Sequence, residues 1–251
     1  MRLLVLSDIH ANLEALDACL DAAPAYDQVY NLGDIVGYGA NPNEVTARSR
    51  ELGSIFVRGN HDKACSGLTN LEDFNPIAGL AALWTRKQLT PDHLEFLREL
   101  PQGPLGPAEN VQLVHGSPRD EDEYVLMASD AYAMLAQAST PLIFFGHTHV
   151  QRCFLQEADT STGKSLVPAY TSAKGSQVIK LELKPNTKYM VNPGSIGQPR
   201  DHDPRAAFLL YDTEENAITF HRVPYDIQRA QKKIISAGLP ERLAVRLTEG
   251  R

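Results

Sequence analysis

Seven residues with metal-binding side chains stand where short apolar runs end: Asp8 and His10, Asp34, Asn60, His115, His147 and His149. Carboxylate, amide oxygen and imidazole, with no thiolate among them, suit manganese, iron, zinc or nickel rather than copper(I) or an iron–sulfur cluster. Seven donors are too many for one tetrahedral site and suit two ions that share a carboxylate and a water. In Asp8-x-His10 and His147-x-His149 the side chains are two residues apart, so an extended turn can aim both into one pocket. Taken singly, each member is an ordinary strand end, and Gly59-Asn60 alone reads as a turn. The conjunction carries the reading: five separate strand ends, in order, all stop in residues able to bind a metal. Five of the eight histidines belong to this set or adjoin it, at His61.

The elements that must position these residues follow from the hydrophobic pattern. The runs from Leu3 to Leu6, Gln28 to Leu32, Ser54 to Val57, Val111 to Val114 and Leu142 to Phe145 predict strands buried on both faces. Helical spacing is read from Asn12 to Ala22, with Asn12 as N-cap, and from Ile77 to Gln88, Pro91 to Glu99 and Ser129 to Gln137. Alternation of strands and helices points to an α/β fold with its site at the carboxyl ends of the strands. After residue 150 the pattern predicts mostly antiparallel strands: Val150 to Leu155, Ser165 to Tyr170, Gln177 to Leu183, Tyr189 to Val191, Ala207 to Tyr211 and Ala217 to Val223. An amphipathic helix from Asp226 to Ala237 stops at Gly238, and a short helical tail begins at Pro240. With no long linker, residues 1–251 read as a single domain whose second half supplies a second sheet packed on the first. Helical insertions are expected at about 63–110 and 117–140, and a C-terminal helix at about 226–248.

Composition narrows the classes. A chain of 251 residues, 43% hydrophobic and 22% charged, can bury a full core. A net charge of −7 without a long Lys/Arg cluster disfavours nucleic acid as an obligatory partner. Three widely spaced cysteines (Cys19, Cys65, Cys153) argue against a disulfide framework and a structural zinc site. The apolar opening from Met1 to Leu6 is too short for a signal peptide and no stretch is long enough to span a bilayer, so the expectation is a cytoplasmic protein without a membrane partner. The oligomeric state is left open.

As an ordered set, Asp8-x-His10, Gly33-Asp34, Gly59-Asn60-His61-Asp62, His115-Gly116 and Gly146-His147-x-His149 resembles the calcineurin-like metallophosphoesterase superfamily. Gly33-Asp34-Ile35-Val36-Gly37-Tyr38-Gly39, Asn192-Pro193-Gly194-Ser195 and the segment from Gly197 to Asp201 are similar to its small bacterial and archaeal phosphodiesterase-type branch. The visible departure is Ala11, where glycine is common, with little consequence expected. The resemblance implies a four-layer α/β/β/α sandwich of two packed mixed sheets flanked by helices. It also implies that Asp8, His10 and His149 hold one divalent metal, that Asn60, His115 and His147 hold the other, and that Asp34 bridges them. Manganese is the expected ion in vitro.

Two such ions roughly 3.5–4 Å apart would turn a bridging water into a hydroxide for in-line attack on a small phosphorylated substrate. His61 is expected to act as general acid or phosphate contact. Asp62 is expected to orient its imidazole or raise its pKa. Arg200 is a candidate phosphate clamp, in competition with a salt-bridged Pro199-Arg200-Asp201 turn, and Tyr38 should flank the mouth. For the turn Asn192–Ser195, packing is favoured over substrate contact. The alternatives are a phosphoprotein phosphatase with the same metals and a non-catalytic scaffold. Segments 63–110 and 117–140 favour a roofed pocket for a small substrate.

Overall fold

The fold is that of a computed structural model, which describes residues 1–251 except Asp73, Asp159, Ser161 and Ala173. β1 (Arg2–Leu6) shows how the layers arise, because side chains alternate across a strand. Leu4 and Leu6 pack with helices on one face, whereas Leu3 and Val5 enter the core between two sheets. The first sheet runs β3 (Ile55–Phe56), β2 (Gln28–Asn31), β1, β11 (Ala206–Asp212), β12 (Ala217–Val223) and β9 (Gln177–Glu182). The second runs β4 (Leu105–Ala108), β5 (Val111–Leu113), β6 (Leu142–Phe144), β10 (Thr187–Asn192), β7 (Arg152–Glu157) and β8 (Lys164–Leu166). Val5, Leu32, Phe144, Val191, Leu209 and Phe220 are among the side chains interdigitating between the sheets.

Helices α1 (Leu13–Ala22), α2 (Pro42–Glu51), α3 (Asn60–Ser66), α4 (Pro76–Gln88) and α5 (Pro91–Glu99) contribute to the layer outside the first sheet, and α6 (Ala128–Gln137) covers the second. The layers are those of the α/β/β/α sandwich. α7 (Ile227–Ser236) and α8 (Glu241–Glu249) pack together and against Ala78 and Ala81 of α4, with Tyr38 in the same apolar cluster. Gly238 at φ +72° and Pro240 separate the pair. Asn12 caps α1 by accepting from the Ala15 N–H at 3.2 Å. Among the described residues no helix is long and apolar enough to cross a membrane.

The structure departs from the expectation that each half of the chain makes its own sheet. β11 inserts antiparallel beside β1, with Leu4 opposite Leu210, and β10 lies parallel to β6. The physical reason is that β1 and β6, apolar on both faces, are satisfied only as interior strands with a partner on each side. α2 and β4 had no periodic signal: α2 buries Pro42, Val45, Thr46 and Ser49, a face too polar to stand out. The expected strand from Ser165 to Tyr170 shrinks to β8, which is exposed along its length.

The inter-sheet layer dictates stability. Phe144 is fully buried there, and Phe144→Ala is expected to lower the unfolding free energy by about 3–5 kcal/mol. Val178→Ala, on edge strand β9 at a 60% exposed side chain, is expected to change it by less than about 0.5 kcal/mol. Equal effects in denaturant titrations of the two variants would contradict this layering.

Candidate metal centre

β1 and β2 run parallel with Leu6 opposite Asn31, so both chains leave the sheet at the same edge. Backbone hydrogen bonds lock the two exits: Asp8 N–H to Gly33 O at 3.0 Å, His10 N–H to Asp34 O at 2.9 Å and Ala11 N–H to Ile35 O at 2.9 Å. The exit of β3 joins them through Asp62, whose carboxylate accepts from the N–H groups of Gly59 (3.0 Å), Asp34 (2.8 Å) and Ile35 (2.9 Å). Gly33 and Gly59 are required by contact. A Cβ on Gly59 would collide with the Asp34 side chain, and one on Gly33 with the Gly59 backbone. In the second sheet β5 and β6 are parallel, and the Gly146 N–H donates to His115 O at 2.8 Å. Asn192 donates to Gly146 O at 2.7 Å and to Thr148 Oγ1 at 3.1 Å, while Ser195 Oγ donates to Asp8 O at 2.8 Å. The turn from Asn192 to Ser195 therefore packs the two sets of loops against each other.

Backbone strain concentrates here. Asp8, His10, Asp34, His147 and His149 all have φ between +48° and +64°, at a cost of roughly 1–3 kcal/mol each. Ala11 shares that conformation at φ +51°, so alanine in a glycine position carries a penalty of roughly 1–2 kcal/mol, more than the sequence suggested.

The structure brings all seven candidate ligands together in two groups that meet at Asp34: Asp8, His10, Asp34 and His149 in one, and Asp34, His115 and His147 in the other, with Asn60 beside His115. His10, His115 and His149 each place Nδ1 against a backbone carbonyl: Val36 O at 3.2 Å, Leu32 O at 2.7 Å and Gln198 O at 2.6 Å. Those contacts put the proton on Nδ1 and leave Nε2 as a bare lone pair. His10 Nε2 and His149 Nε2 then face each other at 3.1 Å with no proton between them. His115 Nε2 lies 3.1 Å from His147 Nδ1 and 3.3 Å from Asn60 Oδ1.

The carboxylates complete the pattern. Asp8 Oδ2 accepts from Ser7 Oγ at 2.6 Å, whereas Oδ1 has no hydrogen-bond partner among the described residues and lies 3.3 Å from His149 Nε2. Asp34 Oδ1 accepts from the His61 N–H at 2.8 Å, whereas Oδ2, unpartnered among the described residues, lies 3.6 Å from His10 Nε2 and 3.5 Å from His115 Nε2. Buried, unpartnered oxygens facing bare nitrogen lone pairs fit a cation, and this donor set fits divalent metal. Without an ion, burial pushes the Asp8 carboxyl up to about 7, and burial together with the Asp62 charge pushes Asp34 well above the carboxylate range. Burial likewise pulls His10, His147 and His149 below the usual imidazole range.

The expectation for Asp62 is corrected. Its oxygens are taken up by backbone N–H groups of two loops, so it staples those loops instead of orienting the His61 ring. Burial, with the neighbouring Arg200 charge, lowers His61 to about 3, so its imidazole is neutral and Asp62 does not raise it. His61 wedges between Tyr38 and His10, with ring centroids 4.3 and 4.9 Å away. Arg200 is free of the Asp201 turn contact, because Asp201 pairs with Arg222. Its guanidinium instead reaches Tyr38 Oη at 3.4 Å and Gln198 Oε1 at 3.2 Å.

Sequence reasoning missed Tyr124, whose ring lies over His147 with centroids 3.8 Å apart. It sits in a loop without periodicity, held by ion pairs of Arg58 with Glu121 (3.0 Å) and of Lys63 with Glu121 (2.9 Å) and Asp122 (2.6 Å). Arg58 and Lys63, flanking Gly59 to Asp62, were the available signal.

Comparison with known proteins agrees with this geometry. Residues 1–216 match the calcineurin-like phosphoesterase superfamily domain. An uncharacterized protein of Methanocaldococcus jannaschii is 37% identical over 257 residues, covering 98% of this chain and 97% of the relative. The crystal structure of a metallophosphoesterase from Sphaerobacter thermophilus superposes with a TM-score of 0.85 at 41% identity, covering 100% of this chain and 99% of that one. A hypothetical protein of Pyrococcus horikoshii OT3 shares the fold, with a TM-score of 0.75 at 23% identity and coverage of 100% and 98%. With buried histidine and aspartate clusters suited to divalent metal at its strand ends, the chain belongs to the calcineurin-like phosphoesterase superfamily.

Proposed function

We propose that the chain hydrolyses phosphoesters of small molecules with two divalent transition-metal ions. One observation carries the reading: among the described residues Asp34 Oδ2 stands unpartnered between two clusters of imidazole nitrogens. Asp8, His10, Asp34 and His149 would hold one ion, and Asp34, Asn60, His115 and His147 the other. The borderline donors suit manganese, iron, zinc or nickel. When bound, such ions neutralise phosphoryl oxygens and bring the ionisation of water toward neutral pH.

The chain's own residues supply the rest. A neutral His61 donates a ring N–H to a phosphoryl or leaving-group oxygen, and its wedged position between Tyr38 and His10 holds that donor in one orientation. Arg200, anchored by Gln198 and Tyr38, offers a forked donor that matches phosphate oxygens. The buried ligand loops exclude bulk water, which strengthens each of these contacts. A site walled by α4, α8 and the Tyr124 loop favours a small substrate over a phosphoprotein.

Turnover of a nitrophenyl phosphodiester and a nitrophenyl phosphomonoester with added manganese tests the activity. His61→Ala is expected to lower kcat about 10²-fold or more while bound metal is unchanged. No metal-dependent hydrolysis of either ester by the wild-type chain would favour the scaffold and contradict the proposal.

The raised carboxyls generate a second expectation. At pH 6 Asp8 is mostly protonated in the metal-free chain and Asp34 is raised in the same direction, while His10, His147 and His149 are shifted toward the neutral form. Metal binding must therefore expel protons from the carboxyls, and affinity should rise about tenfold per pH unit for each proton released, up to about pH 7. Calorimetric titrations in buffers of different ionisation enthalpy count those protons. Affinity that stays flat between about pH 5.5 and 7 would contradict the protonation scheme.

A further inference from the structure

Beside the metal centre lies a cleft of about 830 Å³, within the roughly 300–1,000 Å³ usual for small-molecule sites. Its inner wall is continuous with the centre. Tyr38 lies 4.7 Å from the His10 ring and 4.3 Å from the His61 ring, Tyr124 covers His147, and Arg200 reaches Tyr38 Oη. Its outer wall is α8, which presents Arg242 and Arg246 one helical turn apart, with Arg251 beyond them. Nothing in hydrolysis of a simple monoester needs this second wall.

The charge in the cleft runs against that of the chain. Four arginine side chains line it against two acidic side chains, Glu241 and Glu249, in a protein of net charge −7. Among the described residues, Arg200 donates only to neutral oxygens, Tyr38 Oη and Gln198 Oε1, while Arg246 Nε donates to the main-chain oxygen of Arg251 at 2.6 Å. The last contact fixes the direction of the half-buried Arg246 guanidinium. Burial and the neighbouring Arg200 and Arg242 charges pull Arg246 below the usual arginine range. Like charges crowded into one partly desolvated cleft repel one another, and an anion bound among them removes that repulsion.

We propose that this cleft binds a second anionic group of the substrate through Arg242 and Arg246, so that the chain acts on small molecules carrying more than one phosphate. The inference rests on the phosphoesterase reading for which ester is cleaved, but the binding site itself does not. Arg200, between the centre and α8, contacts the phosphate to be cleaved, and the α8 arginines hold the remote group. Tyr124, which is exposed, supplies a flat face for the portion between.

Calorimetric titration of the metal-free full chain with inorganic tripolyphosphate and with orthophosphate tests this. The wild type is expected to bind tripolyphosphate about tenfold more tightly than orthophosphate, and R242Q/R246Q to reduce that preference about fivefold or more. Glu249→Gln should shift tripolyphosphate affinity the other way, by about two- to threefold. Melting temperatures verify folding. Should the double variant fail to fold, Arg242→Gln alone carries the test, because that side chain is exposed.

Because no metal is present, absence of hydrolysis in the ester assays leaves this result standing, and loss of the preference leaves the ester assays standing. No binding of either anion, equal affinity for both, or a preference that survives the substitutions overturns the proposal.

Discussion

Three imidazole rings commit their Nδ1 protons to backbone carbonyls and thereby turn Nε2 toward neighbouring imidazole nitrogens and toward carboxylate oxygens unpartnered among the described residues. Without a cation, only protons retained on the buried carboxyls relieve this: His10 and His149 meet nitrogen to nitrogen at 3.1 Å, and among the described residues Asp34 Oδ2 has no donor. A cation is the species that turns this mutual repulsion into attraction. The rest of the structure holds that unfavourable convergence in place. Strand exits are cross-bonded at 2.9–3.0 Å, ligand residues are held in left-handed backbone conformations, and Asp62 is tied to N–H groups of two loops. A fold that tolerates so much local strain must over-determine it, and two packed sheets with a shared apolar layer do so.

The same constraint accounts for which parts of the molecule were legible beforehand. Asp8, Asp34, Asn60, His115 and His147 each follow an apolar run, so strand ends and metal-binding residue types coincided in the chain itself. The left-handed turns left traces in Gly33, Gly59 and Gly146, each pressed against another ligand loop. Partnership between strands was not legible. Whether β11 sits beside β1 or in a separate sheet depends on long-range pairing that local periodicity does not encode. Asp62 was misassigned for a related reason. Its neighbour in sequence, His61, is not its partner, and its partners are backbone N–H groups, which carry no signature in residue type.

The walls of the site were the least legible part. Tyr124 lies in a loop held by ion pairs among Arg58, Lys63, Glu121 and Asp122, whose pairing across 58 to 63 residues local periodicity does not encode. α8 reads as a short helical tail, and only its packing with α7 against α4 brings Arg242 and Arg246 to the mouth of the centre. The candidate metal donors and the cleft wall thus come from different tiers: loops on rigid strands supply the first, and a helix pair distant in sequence supplies the second.

Metal content decides the central claim most directly. Elemental analysis of the purified chain after manganese loading should return two ions per chain, with crystallographic anomalous scattering placing one among Asp8, His10, Asp34 and His149 and the other among Asp34, Asn60, His115 and His147. Asp34→Asn should retain at most one. A wild-type chain that folds but holds no transition metal, or whose ions lie away from Asp34, would contradict the account.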